Sequence, residues 1–129
     1  RAVRHEPLER GVILDLHDLW SWVVVIGNGL AGLWCLGAHW MAPLRVRALW
    51  VAVVFVEVTI FVQVALGVYM VAVQGVEAPG MHMFYGFISL VTVGILYAYR
   101  THLRAQMYLL YGFGGLFLMG LGIRAMFLA

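Results

Sequence analysis

The sequence predicts an all-α membrane protein, a bundle of four transmembrane helices running up, down, up and down. Three observations carry this prediction. The chain is 64% hydrophobic and 11% charged, whereas soluble domains carry roughly 25% charged residues. Four stretches reach the length of about 20 mostly apolar residues that crosses the hydrocarbon core as a helix. The breaks between them are short, so consecutive helices must be antiparallel neighbours.

The first span is expected from about Leu16 to Trp40, with Pro43 just beyond it. The second runs from about Leu44 to Val73 and stops before Glu77-Ala78-Pro79-Gly80. The third runs from about Met81 to Tyr99, the polar turn Arg100 to Arg104 follows, and the fourth runs from about Ala105 to Leu128. Together they occupy most of the 129 residues, so one domain is expected and no room is left for a soluble enzyme domain.

The arginines bear on topology. Arg45 and Arg47 lie between spans one and two, Arg100 and Arg104 between three and four, with no acid in either link. The positive-inside rule makes that face cytoplasmic. Opposite it fall Glu77 and an N-terminal arm in which Arg1, Arg4 and Arg10 are mixed with Glu6, Glu9, Asp15 and Asp18. Both termini are then expected on the non-cytoplasmic side of a bacterial plasma membrane. The chain starts at Arg1 and its first 15 residues lack the apolar core of a signal peptide, so a few starting residues are expected to be missing.

The formal charge of +2 comes from eight arginines against six acids. Without a clustered basic stripe, nucleic acid is not an expected partner; the lipid bilayer and other membrane subunits are. The single Cys35 can form no internal disulfide and reads as a small packing residue. Trp20, Trp22, Trp40, Trp50, Tyr97 and Tyr99 fall near span ends, where aromatic side chains favour the interface. Small residues recur in span one (Gly27, Gly29, Ala31, Gly32) and span four (Gly112, Gly114, Gly115, Gly120, Gly122). They are expected first to let helices approach closely, and second to leave room for a flat cofactor.

Polar residues mark the inward faces. In span one, His17, Asn28, Cys35 and His39 return to nearly one face at 100° per residue, with Ser21 and Gly32 beside them. Turned to lipid, that stripe would leave polar groups unpaired, so it should face the bundle. His82, Gly86 and Ser89 form a similar line in span three. His17 opens span one and His82 opens span three, which places both at one membrane face on diagonal helices. Two inward imidazoles at one depth can serve as axial ligands of a haem iron. Two other readings stay open: interfacial histidines solvated beside Asp15, Asp18 and Glu77, and a copper site in which Met81 and Met83 join the histidines.

His39 and His102 share the opposite face, where a second centre is conceivable. Glu57 lies deep in span two, a proton-relay or quinone-site candidate, or a neutral acid bonded to Asn28 or another helix. Arg124, near the outer end of span four, is expected to pair with Asp18, Glu77 or a haem propionate, or to snorkel to the interface.

The stretch Val62-Gln63-Val64-Ala65-Leu66-Gly67, followed by Pro79 and by His82 at the start of the next span, resembles the corresponding part of the heme A synthase family. The resemblance covers about residues 14 to 98. That family contains two similar four-helix halves, each able to hold a haem between histidines of its first and third helices; His17 and His82 match these two positions. Where the family places a glutamate and an arginine around the first histidine, this chain has Leu14 and Asp18, and only one half is present. The resemblance therefore implies haem binding without the family's oxidation of a haem methyl group.

These readings converge on a small b-type haem protein acting in electron transfer or haem handling within a larger membrane complex, rather than on an enzyme. His17 and His82 would be the iron ligands, with Ser21, Tyr85 and Arg124 close by. The alternative is a non-redox accessory or scaffold subunit. Transport through Glu57 is disfavoured, since neither a broken helix nor a second charged residue accompanies it.

Overall fold

The computed structural model describes residues 6–128, with side chains from residue 11 onward. Four helices form an up-down-up-down bundle: α1 (Glu6–Trp40), α2 (Arg47–Ala72), α3 (Gly80–Tyr99) and α4 (Met107–Phe127). All four contain stretches long and apolar enough to cross a membrane. The chain is a small all-α integral membrane protein.

Helices α2, α3 and α4 lie within a few residues of the expected spans, and α1 contains its expected span and extends beyond it at the N-terminal side. Among the described residues it already runs from Glu6, ten residues ahead of the expected span at Leu16. Apolarity sets where a helix can enter lipid but not where it starts in water, and Pro7, which needs no amide partner in a first turn, suits the earlier start. At about 1.5 Å per residue α1 is about 52 Å long, against about 30 Å of hydrocarbon, so it overshoots the membrane. Arg1 and Arg4 of the N-terminal arm lie outside the described residues, as do the side chains of Glu6, Glu9 and Arg10.

Each link is closed by local chemistry. After α1, the Arg45 guanidinium donates to the carbonyls of Ala38 (2.6 Å) and His39 (2.7 Å), satisfying acceptors that a helix end leaves free. A short 3₁₀ turn over Ala42–Leu44 carries Pro43, and the Trp34 indole donates to the Leu44 carbonyl at 3.1 Å. After α2, Gly75 takes a left-handed φ of 68°, the conformation that glycine reaches without a Cβ penalty. After α3, Arg100 donates to the Tyr97 carbonyl at 2.8 Å and lies 3.7 Å from the Tyr97 ring centre.

The core is built on α1. It packs against both α2 and α4, α3 packs against α4, and α2 meets α3 only sparsely. Helices one and three are therefore diagonal. The α1–α4 contact is nearly backbone to backbone: a Cβ on Gly32 would lie 2.8 Å from the Gly112 carbonyl oxygen, and one on Gly115 would lie 2.9 Å from the Asn28 carbonyl oxygen. The packing role of these glycines holds, while Gly120 faces open space.

Not every aromatic near a span end is an interfacial anchor. Trp20 is drawn between helices, its indole donating to the Thr59 carbonyl on α2 at 2.9 Å. Trp50 stacks near Tyr108 and Tyr111 on α4, with ring centres 5.3 and 5.6 Å away. Trp22, Trp40, Tyr97 and Tyr99 remain exposed.

The glycine contact yields a test. Gly115→Ala forces α1 and α4 apart and should cost about 1–3 kcal/mol, the usual range for overpacking. Thermal unfolding in detergent should show a lowered midpoint, whereas Gly94→Ala, inside α3 where an added Cβ meets nothing within 4 Å, should hold or raise it.

Candidate functional site

At the end of the bundle that carries the Glu77–Pro79 loop, the sparse α2–α3 contact leaves a cavity of about 820 Å³. This lies within the range of small-molecule and cofactor pockets, about 300–1,000 Å³. Its wall is mainly aliphatic, with Val24, Ile60, Val64 and Leu90 among its lining residues, and its polar lining includes His17, Ser21, Gln63 and His82.

The two histidines meet there. The His17 and His82 ring centres are 5.9 Å apart with an interplanar angle of 68°. The phase of each helix explains the meeting: His17 shares its face with the buried Asn28 and Cys35, and His82 shares its face with the buried Ser89. Asn28 is 1% exposed and donates to the Val24 carbonyl at 2.8 Å, so the polar stripe of α1 does face the interior.

Each imidazole is held from a different helix. His82 Nδ1 lies 2.8 Å from the Ala125 carbonyl of α4. A carbonyl only accepts, so Nδ1 carries the proton, and in the neutral ring Nε2 keeps its lone pair. That tautomer is the one in which metal-ligating histidines are commonly fixed. On the other side, the Gln63 amide of α2 donates to the His17 carbonyl at 2.9 Å. The His17 Nδ1 and Gln63 Oε1 atoms are buried and lack a hydrogen-bond partner. Buried polar atoms are nearly always paired, and these two belong to residues that line the cavity.

The other expected site residues divide. Ser21 lines the cavity, but its hydroxyl is occupied by the Asp18 carbonyl of its own helix. Tyr85 does not line it: the ring packs edge-on against Phe84, 5.7 Å away, and against the core. Arg124 is exposed, outside the lining, and makes no ion pair among the described residues. Met83 lines the cavity and Met81 does not. The sequence reading left Gln63 out of the site; its signal was an amide amid the apolar residues of α2, one turn before Gly67.

Two further candidates stand apart. Glu57 is half-buried on α2 away from the cavity lining, and among the described residues its carboxyl has no hydrogen-bond partner. Its suggested partner Asn28 is committed to Val24. At the other end, His39 lies edge-on to Trp40 at 4.8 Å and the exposed His102 lies 6.0 Å from Tyr99. No contact joins these two histidines among the described residues. Likewise, no group of three or more His, Cys, Asp or Glu side chains positioned to hold a metal ion occurs among the described residues.

Compared with protein-family models, with curated proteins and with solved structures, the chain matches none. The likeness to the heme A synthase family therefore rests on the residues alone.

The tautomer is directly measurable. Nitrogen-15 NMR of the histidine-labelled protein should show His82 protonated at Nδ1 and bare at Nε2; the reverse tautomer would mean that the Ala125 contact is not a hydrogen bond.

Proposed function

We propose that this four-helix protein is a membrane subunit that holds one b-type haem between His17 and His82. The observation that carries the proposal is the meeting of the two rings inside the cavity. The ring centres, 5.9 Å apart, are near enough for both imidazoles to reach one metal ion. An aliphatic wall suits a porphyrin edge, and both histidines line the cavity that would receive it.

When bound, haem supplies one-electron redox chemistry. The chain's part is to hold and tune. Ala125 fixes the His82 tautomer, the aliphatic lining limits water, and the exposed Arg124 is available to an acidic group or a lipid headgroup near the same end. Copper held by the same histidines with Met83 is the lesser variant of this proposal.

A plainer reading draws on different observations. An accessory subunit without redox chemistry needs only membrane residence and helix packing. The lack of a three-ligand metal group among the described residues agrees with it. So do the exposed apolar side chains along α2 and α3, such as Phe55, Phe61, Phe84 and Phe87, which suit lipid or neighbouring subunits equally. What is observed demands no more than this; the haem reading adds the histidine pair. The arginine-bearing links favour an orientation with the cavity on the non-cytoplasmic side.

The test is a reduced-minus-oxidised visible spectrum of the protein purified from cells supplied with haem. A haem band present in the wild type and lost in both His17→Ala and His82→Ala is expected. A folded, colourless wild type overturns the haem reading and leaves the accessory one.

A further inference from the structure

The histidines are not held alike. His82 is fixed through its own ring nitrogen, whereas His17, beside its edge-on contact with the His82 ring, is touched by two residues of α2 one turn apart. Gln63 donates its side-chain amide to the His17 carbonyl at 2.9 Å. The same amide nitrogen lies 3.4 Å from His17 Nε2, too long for a strong bond, so Gln63 acts through the main chain at the base of the side chain. Gly67 stands against the ring itself: a Cβ there would lie 3.4 Å from His17 Cε1. Residues four apart occupy one helix face, so α2 presents an amide that grips the histidine backbone and, beside it, a bare patch that receives the ring.

We propose that Gln63 and Gly67 are positioning residues that set the orientation of the His17 imidazole in the cavity, Gln63 by its hydrogen bond and Gly67 by having no side chain. This rests on the reading that His17 and His82 hold a haem, and it assigns α2, which supplies no ligand, control over one of the two ligands. The ring itself has no strong hydrogen bond: its Nδ1 has no partner and its Nε2 has only the 3.4 Å contact to the Gln63 amide. A histidine without a ring-nitrogen tether turns with the backbone that carries it and the surface it rests on. Ligand orientation in turn governs how the iron binds and at what potential it is reduced.

Two pairs of variants test this. Gln63→Met keeps length and loses the amide; Gln63→Glu keeps the shape, and when ionised has no proton to donate to the carbonyl. Gly67→Ala adds one carbon at van der Waals distance, and Gly67→Leu drives a branched side chain into the ring. Each protein is checked for helix content and monodispersity, then for haem retention and for the low-spin electron paramagnetic resonance signal of the oxidised form. Gln63→Met should retain haem about 10-fold less tightly, the lower end of the effect of outer-shell partners, with a shifted low-spin signal. Gln63→Glu should shift that signal too, and Gly67→Leu should lose haem while Gly67→Ala keeps it. A haem-loaded wild type whose signal and retention are unchanged in Gln63→Met and in Gly67→Leu overturns the proposal and spares the histidine ligation. A wild type that takes up no haem overturns the ligation itself, and with it this role for α2.

Discussion

The backbone contact between α1 and α4 sets the terms for the rest of the molecule. Gly32 and Gly115 bring the two helices so close that a single added carbon on either would strike a carbonyl oxygen, and one on Gly112 would strike the Leu36 side chain. In lipid there is little hydrophobic drive for helices to associate, and close van der Waals approach takes its place. α1 also packs on α2 and α4 on α3, so the fourth side of the bundle is the one left thin. The cavity is the consequence of that asymmetry. A bundle with four equal contacts would fill the space where His17 and His82 meet.

The polar groups obey the same economy of contact. Most of the described side-chain hydrogen bonds run to backbone carbonyls: Trp20 to Thr59, Asn28 to Val24, Gln63 to His17, His82 to Ala125. Several cross between helices and fix their register without placing a charge in the core. The arginines Arg45 and Arg100 finish helix ends near the membrane boundary instead. Against this background the unpartnered atoms of His17 and Gln63 stand out, and both residues line the same cavity.

Much of the fold was legible in the sequence because hydrocarbon imposes one rule, that a crossing segment be apolar and helical. The breaks between the helices followed from Pro43, the Glu77-Ala78-Pro79-Gly80 stretch and the Arg100–Arg104 turn. The start of α1 did not, since the rule ceases to act in water. The pairing of His17 with His82 followed from helix phase and depth, two quantities that periodicity and span counting supply. What periodicity could not supply was the role of long-range neighbours: that Tyr85 packs away from the cavity, that Asn28 bonds its own helix and not Glu57, and that Gln63 grips the His17 backbone. Each depends on side-chain reach across a helix interface, to which a single-chain pattern is blind.

The claim beneath the functional reading is that two imidazoles face one another inside the bundle before any cofactor is added. Solid-state NMR on histidine-labelled, haem-free protein in bilayers measures this most directly. Through-space cross-peaks between the His17 and His82 rings are the predicted result, given centres 5.9 Å apart. Rings that show no mutual contact, with either one coupled instead to acyl chains, would contradict it.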